Sequence, residues 1–80
     1  MSSKHRILAI NLTEVEAESM VAGLRHVGIS AVCEEHINWH AVSLSHRAPQ
    51  EIRHMALMFV TGWLCSNKSV DGLRTYLPEA

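Results

Sequence analysis

The sequence predicts a small α+β domain with the element order β-α-β-β-α. Three observations carry that reading. A capped amphipathic helix follows a short apolar run near the start of the chain. Residues 29–44 hold β-branched and aromatic side chains without helical periodicity. A long apolar segment opened by a proline occupies residues 49–66.

The first strand is expected over residues 5–12, HRILAINL, where Leu8, Ile10 and Leu12 alternate with Ile7 and Ala9. A run this apolar fits a strand buried on both faces, or nearly so. The first helix follows over 13–27. Thr13 and Glu16 form a T-x-x-E capping box. Ala17, Met20, Val21, Leu24 and Val27 recur at spacings of three and four and make one apolar face. Gly28 supplies the stop.

Two further strands are expected over 29–34 and 37–44, with Glu35 and His36 as a tight connection. The second helix takes 49–66. Pro49 suits its first position, and Asn67 suits a left-handed cap at its end. The tail allows a single turn at 69–76, and Leu73, Tyr76 and Leu77 can pack back on the domain. A right-handed crossover joins strands 1 and 2. Strand 3 then lies between them, giving a three-stranded sheet of order 1-3-2 with two helices packed on one face.

This layout is similar to that of small ACT-like and ferredoxin-like regulatory modules. The likeness is one of element order over most of the chain and carries no motif. It implies a dimer whose groove holds a small molecule, as an alternative to the function argued below.

Eighty residues suffice for one domain and not two, so residues 1–80 are read as a single domain with flexible ends at 1–4 and 78–80. The chain is 48% hydrophobic and 19% charged, which excludes a disordered composition. Seven basic and eight acidic residues leave a net charge of −1. The basic residues are scattered along the sequence, which argues against nucleic acid as the partner. A weaker alternative keeps nucleic acid on an open sheet face, with Trp39 and His40 as stacking groups. The longest uninterrupted apolar run, 55–60, is far below the ~20 residues that span a bilayer. No secretory leader is evident in MSSKHR. Cys33 and Cys65 belong to no C-x-x-C pattern and are expected to be reduced thiols in the cytoplasm.

No catalytic signature is present, neither G-x-S-x-G, P-loop, G-x-G-x-x-G nor H-E-x-x-H. Cys33 lies beside Glu34 and Glu35, whose charge raises a thiol pKa and mutes a nucleophile. Six histidines are many for this length, yet they meet no zinc spacing. His36 and His40 stand ~13 Å apart on an extended strand. No metal or other cofactor is expected, and no enzymatic activity.

What remains is surplus apolar surface. On a helical wheel, Ile52, Met55, Ala56, Phe59, Val60 and Trp63 form the core face of the second helix. Leu57 and Leu64 extend it on one side, Met58 and Cys65 on the other. One small sheet cannot cover all of these, and both sheet faces also carry apolar residues. The expected association surface is therefore Leu57, Met58, Leu64, Trp39 and Ile37. Glu14, Glu18, Glu34 and Glu35 are expected to form an acidic surface. The function these features predict is a small non-catalytic interaction module that binds a protein partner and forms a homodimer. An inhibitor or adaptor of phage or mobile-element type fits, with anti-CRISPR proteins as one example of the class.

Overall fold

The computed structural model describes residues 6–78. Its elements are β1 (Ile7–Leu12), α1 (Glu14–His26), β2 (Ala31–Glu35), β3 (His40–Leu44), α2 (Gln50–Asn67) and α3 (Leu73–Tyr76). A short 3-10 turn, Val70–Gly72, leads into α3. The expected order and topology are present: a sheet of order β1-β3-β2, antiparallel throughout. Of the ends expected to be flexible, 1–4, 79 and 80 lie outside the described residues, as does His5 of the expected first strand.

α1 is built from local signals. The Thr13 hydroxyl accepts from the Glu16 N–H at 3.2 Å, and the Thr13 N–H donates to the Glu16 carboxylate at 3.0 Å. Two donors that the first turn leaves open are thereby satisfied. At the other end Gly28 adopts φ +88°. The Gly28 N–H donates to the Arg25 carbonyl and the Ile29 N–H to the Leu24 carbonyl, which is a Schellman closure. Ala17, Met20, Val21 and Leu24 are buried.

β1 departs from simple alternation. Its register against β3 slips between Ile7 and Ala9 and again between Ala9 and Leu12. These bulges bring Leu8, Ala9 and Leu12 all into the core. Asn11 absorbs the distortion at φ +59°, a region asparagine tolerates. Its side-chain amide donates to the Thr75 carbonyl at 2.6 Å and so ties the tail to the sheet.

The hairpin differs from expectation. β2 and β3 are joined by residues 36–39, closed by the His36 N–H donating to the Trp39 carbonyl at 2.9 Å. Glu35 pairs with His40 as the last rung. The expected two-residue connection at Glu35 and His36 is thus replaced by a longer turn in which Asn38 is the turn former. Ile37 and Trp39 are turn residues rather than strand residues.

The register puts Ala31, Cys33 and Glu35 on one sheet face with Leu44, Val42 and His40. Ala31, Val42 and Leu44 join one core cluster with residues of both long helices, so α1 and α2 lie on that face. On the other face Ser43 stands between Ile7 and Val32. Those branched neighbours shield it, and it is buried, as is Ala41. That face exposes less apolar surface than its composition suggests, because its central positions are small.

α2 is rolled relative to the expected wheel. Its buried stripe is Ala56, Val60 and Leu64. Leu57, Phe59 and Trp63 are half-buried against the cluster, while Ile52 and Met55 point outward. Leu73, Tyr76 and Leu77 also pack on the core, beside α2 and β1. Pro49 caps α2 from outside with φ −58° and ψ 156° rather than opening its first turn. Asn67 remains helical, and its amide donates to the Trp63 carbonyl at 2.7 Å, so the left-handed cap expected there is not formed.

Candidate functional site

Two surfaces stand out once the core is assigned. The first is the outward face of α2. Ile52, Met55 and Met58 follow at three-residue spacing and are 37%, 55% and 62% exposed. An 18-residue helix that already buries a complete inner stripe has no structural need for three large apolar groups outside. Gly62 lies exposed on the same helix, and no atom stands within 4 Å of where its Cβ would be.

Of the expected association residues, Met58 is on this surface. Leu64 is not: it is fully buried, at the heart of the inner stripe. Leu57 is half-buried against the core and contributes little to an outer surface. Ile52 and Met55, which the wheel assigned to the core, take their place. Counting apolar residues on the wheel finds the surplus but not the roll, which depends on how the helix seats on the sheet.

The second surface lies at the end of the sheet where β1 feeds α1 and the hairpin turns. Ile37, at the tip of the turn, is 95% exposed. The rings of His36 and Trp39 stack 4.0 Å apart at an interplanar angle of 8°. Together with Leu12, Glu14, Glu35 and His40 they line an open cleft of about 660 Å³. The Nδ1 atom of His40 is buried without a hydrogen-bond partner among the described residues. So Ile37 and Trp39 lie with the acidic groups rather than with Met58.

Of the expected acidic surface, Glu14 and Glu35 line this cleft, while Glu34 lies on the opposite sheet face from Cys33 and Glu35. Burial pushes the Cys33 thiol up, and the charges of Glu18, Glu14, Glu35 and Glu34 push it further. A thiol held above its ordinary range carries little thiolate at neutral pH. Cys33 and Cys65 are both free and exposed.

Glu16 belongs to a separate contact. It pairs with Lys68, which also lies 5.0 Å above the Tyr76 ring. Burial pushes the Glu16 carboxyl up, but the Lys68 ammonium and the Thr13 groups outweigh it and hold it below its usual value. Lys68 is raised in turn, chiefly by its hydrogen bond to Glu16. The pair joins the start of α1 to the end of α2 and the tail.

Among the described residues no group of three or more His, Cys, Asp or Glu is placed to hold a metal ion. None of the described helices is long and apolar enough to cross a membrane. No protein-family model, curated protein or solved structure matches this chain.

Proposed function

We propose that this protein is a small non-catalytic interaction module that binds a protein partner through the outward face of α2. An inhibitor or adaptor of the kind carried by phages and mobile elements fits this reading, acting in the cytoplasm with its cysteines reduced. The observation that carries it is the run Ile52, Met55 and Met58 on the outside of a helix whose inner stripe is already filled. Exposed methionines suit a binding surface because the unbranched thioether adapts to irregular partners. Burying such a face against a protein recovers roughly 25 cal/mol per Å² of apolar area.

A second copy of the chain is the alternative occupant. Gly62 favours it, because the open space above that residue lets another helix approach closely.

The test is differential capture from a lysate of the source cells. Wild-type protein is compared with a Met55→Glu/Met58→Glu variant of matched melting temperature. The expected result is a protein retained by the wild type and lost with the variant. Equal retention by both, or no retained protein with a monomer by light scattering, contradicts the proposal.

A further inference from the structure

The cleft at the hairpin end is a different surface from the α2 face, and its chemistry is specific. We infer that it receives a cationic group on an apolar stem, an alkylammonium or alkylguanidinium, either as a free organic cation or as a basic side chain of another protein.

Three features of the lining argue for this class. First, the fixed charges are all of one sign. Glu14 at the start of α1 and Glu35 at the end of β2 approach the cleft from two elements, and among the described residues no Lys or Arg lines it. Neither carboxylate forms an ion pair with a described residue, in contrast to Glu16, which has Lys68. Second, the aromatic wall is already in place. Trp39 is held against His36 in a parallel stack at 4.0 Å, so little side-chain freedom remains to be lost when a ligand arrives. A cation beside an indole is attracted by the ring quadrupole. Third, Ile37 offers apolar surface for a stem and is almost wholly exposed. A size of about 660 Å³ is in the range of small-ligand sites.

An anion is repelled by the same carboxylates, and a purely apolar ligand leaves them desolvated without a partner. A cation with a short carbon stem satisfies every part of the lining. It also explains why the aromatic stack and the acidic groups share one end of the molecule.

The test is a titration followed by two-dimensional 1H–15N NMR on the full chain. Agmatine represents the free cation, and acetyl-Gly-Arg-Gly-amide represents a basic side chain. Citrate serves as the anionic control. The expected result is a saturable shift confined to Glu14, the amides of residues 35–40 and the Trp39 indole, with either cationic probe. Glu35→Gln weakens binding about tenfold, as loss of a charge-assisted contact should. Trp39→Ala, a substitution in an exposed turn, removes binding while the spectrum stays dispersed. Tighter binding of the peptide identifies a protein side chain as the occupant, and equal or tighter binding of agmatine identifies a free cation. Shifts that never saturate, that appear equally with citrate, or that survive unchanged in Glu35→Gln overturn the inference. The Met55→Glu/Met58→Glu variant should titrate as wild type does, so failure here and failure of the α2 surface are separate outcomes.

Discussion

Single residues in this fold differ in what surrounds them, and the two helical glycines show it. Gly62 faces open space, so Gly62→Ala gains helix propensity and should stabilise by about 0.5–1 kcal/mol. Gly23 lies under Phe59, and a Cβ there would stand 2.5 Å from the ring's Cζ. The ring is half-buried against the core and must move, so Gly23→Ala should destabilise by about 1–2 kcal/mol despite the same gain in propensity. Urea denaturation of both variants checks the opposite signs. Cys33 supplies a second test at this scale. Its raised thiol should alkylate more slowly at pH 7.5 than a free model thiol, and high salt should narrow the gap by screening the four carboxylates. An unchanged rate in Glu35→Gln and Glu18→Gln would remove the acidic cluster from the account.

Elements report how far local sequence reaches. Thr13→Ala should cost about 1 kcal/mol through the lost cap. Lys68→Met should cost up to about 1 kcal/mol at neutral pH, the upper range for a partly shielded pair. The pH dependence of that loss has a definite sign. A carboxyl held below its unfolded value of 4.5 stabilises the fold above that pH, and the gain is lost as pH falls through the folded value. An ammonium held above 10.5 stabilises below that pH, and the gain is lost as pH rises through its folded value. Parent and Lys68→Met stabilities should therefore differ at pH 7 and converge below pH 4.5, as unfolding curves at pH 7 and pH 3 would show. α1 was legible from sequence to within one residue because its box, stripe and stop are all local. The hairpin was harder: no Asn-Gly or Asp-Gly marks the turn, so Ile37 and Trp39 read as strand. The roll of α2 could not be read at all, since apolar residues surround most of this helix and the wheel alone does not say which of them meet the sheet.

At the scale of the whole molecule, the sheet order follows from the crossover rule and the apolar patterning, both present in the sequence. The surplus of apolar surface was likewise visible, but its address was not. The open sheet face hides much of its share behind Ile7 and Val32, and the tail covers another part. What remains outside is Ile52, Met55 and Met58 on α2, Ile37 at the hairpin tip, and Val15 and Val27 at the two ends of α1. Glu14 and Glu35 are near one another in space because β1 and β2 both end beside His40, where α1 starts, although the two residues are far apart in sequence. This division of the molecule into a finished core and an unneeded outer helix face is what the functional proposal stands on.

Equilibrium unfolding of Met55→Glu/Met58→Glu beside Leu64→Glu tests that division directly. The double variant should stay within about 0.5 kcal/mol of the parent, as changes at an uninvolved surface do, while Leu64→Glu should abolish the cooperative transition. A loss of several kcal/mol in the double variant, or a folded Leu64→Glu protein, would contradict it.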